Sequence, residues 1–199
     1  LNQLSQMDGF VHVVRCFENP NVSHPAGSVD PRRDIAAMDA ELLLNDLIAV
    51  ERKLEKLGEE RKKGAGRDRA LIERELDIFN RFHTHLAADH LLRELEISAE
   101  DAKVIAGFGF LSQKPMLVLL NLSDGQPAPV IAYPHRHSAV IGLQGRLEME
   151  LAQLSTADAE MFMAEYGIEE LGLSKVIGLS YDLLGLQSFF TVGADEVRA

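Results

Sequence analysis

A single cysteine, Cys16, in 199 residues leaves no pair for an intramolecular disulfide, so stability has to come from a packed core. It stands inside the apolar run Phe10 to Phe17, where a small buried hydrophobe is the expected role, and its isolation fits a reducing compartment. Long hydrophobic runs are missing too. The strongest is Met116-Leu117-Val118-Leu119-Leu120, far short of the roughly 18 to 20 residues a membrane helix needs, so no membrane span is expected. Basic charge is scarce: 20 Lys and Arg stand against 31 Asp and Glu, a formal net charge of -11. That balance excludes a surface broadly coated for nucleic acid and leaves room only for local contacts. The chain has no initiator Met, no basic-then-apolar leader and no internal repeat, and it stops abruptly at Val197-Arg198-Ala199. These features give the expectation of a fragment of a cytoplasmic protein. What is present, 46% hydrophobic and 26% charged residues, suffices for one full domain and an appendage.

Phe10 to Phe17 is almost continuously apolar and rich in β-branched and aromatic residues, the pattern of a central strand buried on both faces of a parallel sheet. Asn19 to Pro31 follows, too dense in Asn, Pro, Gly and Ser for anything but a long loop, and such loops are often functional. From about Ile35, Ala40, Leu43, Leu47, Val50, Leu54 and Leu57 recur at steps of three and four, predicting one long helix with a coiled-coil seam. Gly64-Ala65-Gly66 breaks it, and Ile72, Leu76, Phe79, Phe82 and Leu86 mark a second helix, so the two form an antiparallel hairpin. Ser98 with Asp101 reads as the N-cap of a short helix through Ala106. Two more buried strands are expected at Met116–Leu120 and Ala139–Leu143, with helices opening at Ser155 or Thr156 and running from Leu173 to Leu184. Gln187 to Thr191 reads as a strand that begins something else. The fold class is therefore α/β, a parallel sheet interrupted by a helical hairpin.

Several segments, in order and spacing, resemble the YchF family of Obg-related P-loop NTPases. They are His12-Val13-Val14-Arg15-Cys16-Phe17-Glu18-Asn19, Gly27-Ser28-Val29-Asp30-Pro31 with Arg33-Asp34-Ile35, and Glu41-Leu42-Leu43-Leu44 with Asp46-Leu47. Near the end stand Gly167-Ile168-Glu169-Glu170 and Leu184-Gly185-Leu186-Gln187-Ser188-Phe189-Phe190-Thr191. The resemblance implies part of a Ras-like nucleotide-binding domain at 1–36 and 105–185, a coiled-coil insert at 37–104 and the opening of a TGS domain at 186–199. It implies ATP or GTP with Mg as ligands of the intact protein, and the ribosome as partner. No G-x-x-x-x-G-K-[ST] occurs in the chain, and phosphoryl transfer depends on that loop. This chain alone is accordingly expected to be inactive and to hold no nucleotide tightly.

Candidate base-contacting residues follow from the same resemblance. Asn121, Leu122 and Asp124 stand directly after a strand, at the carboxyl end where open α/β sheets bind ligands. Asn121-Leu122-Ser123-Asp124 fits neither the guanine-type N-K-x-D nor the family's N-x-x-E, which leaves ATP against GTP open, and a plain capped turn is the competing reading. Gln144, Gly145 and Arg146 match the family's second base-contacting loop. His24 matches a loop histidine that would orient the attacking water, against the simpler reading of a solvated histidine.

Two surface features remain. His83 and His90 lie seven apart on a helix and His135 and His137 alternate, but neither set acquires a third ligand at metal spacing, and no metal site is expected. At the hairpin turn Arg61, Lys62, Lys63, Arg67 and Arg69 gather, and such a tip could meet ribosomal RNA or another protein through phosphate or acidic groups. Cations near a helix C-terminus also favour the macrodipole without any partner. A hairpin seam or an exposed sheet face can further pair two copies of a chain, which makes a homodimer the remaining expectation.

Overall fold

The computed structural model describes residues 3–63, 66–166, 168, 170–189, 191–192 and 197–198. It divides into two compact units, one of Leu1–Phe10, Asp30–Pro115 and Pro134–His137, the other of Val11–Val29, Met116–Tyr133 and Ser138–Ala199.

The first unit is built on the hairpin of α1 (Pro31–Lys63) and α2 (Arg69–Ala87). Helix α1 begins four residues before the apolar periodicity does. Asp30 Oδ1 accepts the amides of Arg32 and Arg33, both at 3.1 Å, and Pro31 occupies the first helical position, where its missing N–H costs nothing. The expected end of the loop at Pro31 was thus a helix start. Along the seam, Val50 and Leu57 are buried with Leu43, Leu47 and Leu54 packed beside them, facing Ile72, Phe79, Phe82 and Leu86 of α2. The surface that could pair two chains is used within one. Ala40 departs from the expectation and is exposed, while Leu42 and Asp46 are buried. With 33 residues against 19, α1 outruns α2, so its first turns cannot face that partner.

There Asp46 receives the chain after a short helix, α3 (Ala99–Ile105), which Ser98 caps by accepting the Asp101 amide at 3.1 Å. Asp46 Oδ1 accepts from Leu111 N at 2.8 Å, and Oδ2 accepts from Ser112 N and Ser112 Oγ, each at 2.7 Å. Burial pushes its carboxyl pKa up, and the bonds from Ser112 and Leu111 only partly pull it back. Phe108 and Phe110 stack at 5.4 Å, and Phe79 meets Phe108 at 4.9 Å, so this end of the core is aromatic.

The second unit carries a three-stranded sheet in the order β1-β2-β3, with β1 Phe10–Arg15, β2 Met116–Asn121 and β3 Ser138–Leu143. Strand β2 pairs parallel with β3 from Met116↔Ser138 to Asn121↔Leu143. Phe10 N donates to Pro115 O and Cys16 N to Asn121 O, so β1 runs the same way. The central strand is β2, whose Met116 to Leu120 are all buried; β1 is an edge of the described sheet, with Val11 and Val13 exposed and Val14 buried. Apolarity records what a strand is able to bury. It does not record what lies over it, and among the described residues nothing buries Val11 or Val13 of β1.

Helix α4 (Gly145–Leu151) follows β3, then α5 (Thr156–Tyr166), opened by Ser155 Oγ on the Asp158 amide at 3.3 Å, and α6 (Gly172–Leu184), which packs on β2 and β3. Of the described residues in the expected terminal strand, Thr191 is in a strand, β4 (Thr191–Val192), paired antiparallel with β5 (Val197–Arg198), and Gln187, Ser188 and Phe189 are not. Gly64, Ala65, Gly167, Glu169, Phe190 and residues 193–196 of the expected elements lie outside the described residues.

Candidate functional site

The parallel register brings the carboxyl ends of the three strands level, and a set of side-chain bonds ties the turns beyond them together. Leu122 N donates to Leu143 O at 2.8 Å, continuing the β2–β3 ladder by one step. Asn121 Oδ1 accepts from Gly145 N at 3.3 Å, and Gly125 N donates to Gln144 Oε1 at 3.2 Å. A Cβ at position 145 would stand 2.9 Å from Asn121 Oδ1, which is why glycine opens α4. Gln126 joins the third strand: its Nε2 donates to Cys16 O at 2.7 Å while its Oε1 accepts from Ser123 N and Oγ at 3.0 and 2.9 Å.

Between these turns lies a cavity of about 380 Å³ lined by Phe17, Asn19, Asn121, Leu122, Ser123, Asp124 and Arg146. Its volume is in the range of small-molecule sites. The lining joins an aromatic residue, Phe17, and the buried Leu122 to the polar Asn121, Asp124 and Arg146. An ionised carboxylate such as Asp124 only accepts hydrogen bonds, so it selects for N–H edges. The Arg146 guanidinium donates to Glu150 at 3.0 Å, and its pKa is held above the ordinary range first by that bond, then by the charges of Glu150 and Asp124.

The candidate base-contacting residues thus come together, with a division of labour. Asn121, Leu122, Asp124 and Arg146 line the cavity, whereas Gln144 and Gly145 buttress the Asn121–Gly125 turn. The Gln144-Gly145-Arg146 segment was expected as a loop. Instead Gly145 and Arg146 form the first turn of a helix, and the Gly145 amide is engaged by Asn121. His24 lies in the loop between β1 and α1 and is not among the lining residues; its Nδ1 accepts from Ala26 N at 3.2 Å. Sequence reasoning gave no site role to Phe17, Asn19 or Ser123. The usable signal was position, since Phe17 and Asn19 follow β1 as Asn121 follows β2.

In the hairpin unit four of the five basic residues near the turn meet carboxylates. Arg67 pairs with Glu60 at 2.9 Å and with Glu75, Lys63 with Glu59 at 3.1 Å, Arg61 with Glu73 at 3.8 Å and Arg69 with Glu73 at 4.0 Å. Burial pushes the Glu75 carboxyl up, but hydrogen bonds from Arg67 and Lys53 outweigh it and hold the pKa below the usual range. Lys62 is exposed and has no ion pair among the described residues. The histidines do not form the expected pairs. Helix α2 ends at Ala87, so His90 is off it, and β3 begins at Ser138, after His135 and His137. His83 is 3.5 Å from Glu51, and both His90 and His135 approach Glu94. Among the described residues no three His, Cys, Asp or Glu side chains gather at metal-binding spacing. No described helix is long and apolar enough to cross a membrane.

No family model matches the chain. Individual proteins do, along all of it. The ribosome-binding ATPase YchF of Escherichia coli O157:H7 is 35% identical over 208 residues, and that of Bacillus subtilis 32% over 209; each alignment takes in 100% of this chain and 56% of the relative. The chain belongs to the YchF family. It spans about half the length of the curated relatives it matches. The fold agrees: the solved Schizosaccharomyces pombe YchF GTPase superposes with a TM-score of 0.79 over 99% of this chain and 55% of that one, at 23% identity. A sheet with a helical hairpin inserted is therefore the YchF architecture.

Proposed function

We propose that this YchF chain supplies the base-binding half of a nucleotide site in a ribosome-associated NTPase, with the purine ring of ATP or GTP seated between the Asn121–Asp124 turn and the start of α4. The observation that carries it is the juxtaposition of those two turns around a cavity lined by Phe17, Asn121, Asp124 and Arg146. An aromatic lining residue together with an acceptor-only carboxylate suits a heterocycle with exocyclic or ring N–H groups. The names of the relatives, a ribosome-binding ATPase and a GTPase, support the same class of ligand. The phosphates and Mg would be held elsewhere in the full-length protein, since no G-x-x-x-x-G-K-[ST] stands in this stretch. Residues 1–36 and 105–185 would then be nucleotide-domain sequence, 37–104 its insert and 186–199 the start of a TGS domain.

His24 is the candidate for orienting the attacking water. Because Nδ1 accepts from Ala26 N, the neutral ring carries its proton on Nε2, the form that donates to a water or a phosphate oxygen. Titrating full-length protein with ATP, GTP and inorganic tripolyphosphate separates base from phosphate contributions. The Asp124→Ala variant should lose about tenfold in affinity for the preferred nucleotide, one charge-assisted hydrogen bond, and keep its tripolyphosphate affinity. Failure of the full-length protein to bind either nucleotide would sink the proposal.

For the ribosome, the contact we assign is the hairpin tip, with Lys62 the cation best placed to meet RNA phosphate because its neighbours are paired within the hairpin. Full-length protein carrying Lys62→Glu and Lys63→Glu should co-pellet with ribosomes several-fold less than wild type at low salt, the gap closing as salt rises. Equal pelleting at every salt concentration removes the tip from the interface.

A further inference from the structure

We propose that Arg15 is a positioning residue for the base cavity: from the end of β1 it holds the Phe17–Val22 segment in the shape that makes Phe17 and Asn19 a wall. The inference rests on the reading of that cavity as a base site. Arg15 gathers three carbonyl oxygens of one loop, with Nε donating to Phe17 O at 2.8 Å, Nη1 to Val22 O at 2.9 Å and Nη2 to Asn19 O at 3.4 Å. Its guanidinium also lies over the Phe17 ring, 5.3 Å from the centroid. No carboxylate pairs with it among the described residues, so the cation is balanced by loop carbonyls and a ring face.

The loop needs such a device. Its own bonds are short-range: Val22 N donates to Asn19 O at 3.2 Å and Asn21 N to Asn19 Oδ1 at 2.9 Å, closing one turn and leaving its angle to the strand unset. The residues Arg15 grips, Phe17 and Asn19, are the two that this loop contributes to the cavity. Only a planar fork with five donors reaches three carbonyls and stacks on the ring at once. Lysine keeps the charge but has neither the fork nor the plane.

That difference makes Arg15→Lys the decisive variant, with Arg15→Met as a charge-free companion, both in the full-length protein. Positioning predicts that each weakens the preferred nucleoside triphosphate by about tenfold, the loss of one or two oriented contacts, while tripolyphosphate affinity changes less than about twofold. Thermal midpoints should stay close to wild type, because residues 17–22 are half-buried or exposed and add little to the core. In a double-mutant cycle with Phe17→Leu, the two losses should be markedly less than additive, since Arg15 acts through that ring. Wild-type affinity in Arg15→Lys with a loss only in Arg15→Met would mean charge alone matters and would overturn the inference. Parallel loss of nucleotide and tripolyphosphate, or strict additivity with Phe17→Leu, overturns it as well. If wild type itself does not prefer a nucleoside triphosphate over tripolyphosphate, the base site fails and the inference falls with it; discrimination that Arg15→Lys leaves intact refutes Arg15 alone.

Discussion

Replacing Asp46 with alanine should destabilise the hairpin unit by about 3–5 kcal/mol, a large share of the roughly 5–15 kcal/mol that holds an ordinary domain. Three donors end on this carboxylate, the amides of Leu111 and Ser112 and the Ser112 hydroxyl, and Asp46 is fully buried, so no water takes the place of the lost oxygens. The damage spreads through Ser112. Its hydroxyl also accepts from Leu92 N at 3.2 Å, and its carbonyl accepts from Arg93 N at 3.0 Å and Arg93 Nε at 3.2 Å. Asparagine should recover only part of the loss, because its NH2 group must face one of the donors that Asp46 satisfies. Urea unfolding monitored by helical dichroism measures the difference through the midpoint at constant slope. A loss below about 1 kcal/mol for Asp46→Ala would show that the carboxylate's desolvation cancels its bonds.

At Gly172 the expected change runs against helix propensity. Alanine in the first turn of α6 ought to help by up to about 1 kcal/mol, yet Gly172→Ala should be destabilising by about 1–3 kcal/mol. A Cβ there would lie 1.7 Å from Leu143 Cδ1 and 2.8 Å from Glu148 Oε1, the atom that accepts the Gly172 amide at 2.8 Å. Leu143 closes β3 and Glu148 belongs to α4, so relief of the clash moves the two elements that flank Gln144. Nucleotide affinity of the full-length protein should fall along with the melting temperature. A Gly172→Ala protein as stable as wild type would show that Leu143 swings away freely and that the α6 start is not coupled to the cavity.

Much of the architecture was legible because it follows from local rules. The seam from Leu43 to Leu57 predicts a helix whatever surrounds it, Ser98 and Ser155 cap because their hydroxyls reach amides three residues on, and Met116 to Leu120 is too apolar to lie anywhere but in a core. Asn121 and Asp124 were marked by their place after a strand. What escaped was set by partners distant in sequence. Asp46 carried no structural assignment in the sequence, since its partners at 111 and 112 lie more than sixty residues on, and Phe17 and Asn19 acquired a role only when the ends of β1 and β2 came level. The His90 and His137 pairings failed for a smaller reason: His90 lies past the end of α2 at Ala87 and His137 just before β3 opens at Ser138, so neither shares a regular face with its partner histidine.

Periodicity, capping residues and composition by themselves determined that this chain makes a parallel α/β sheet interrupted by a helical hairpin, because those signals act over a turn or a strand and need no partner. The tertiary structure alone decided which strand is central, which acid is buried and which side chains share a cavity. Those outcomes depend on parallel register and on contacts tens of residues apart, where the free energy belongs to the pair and is written in neither residue.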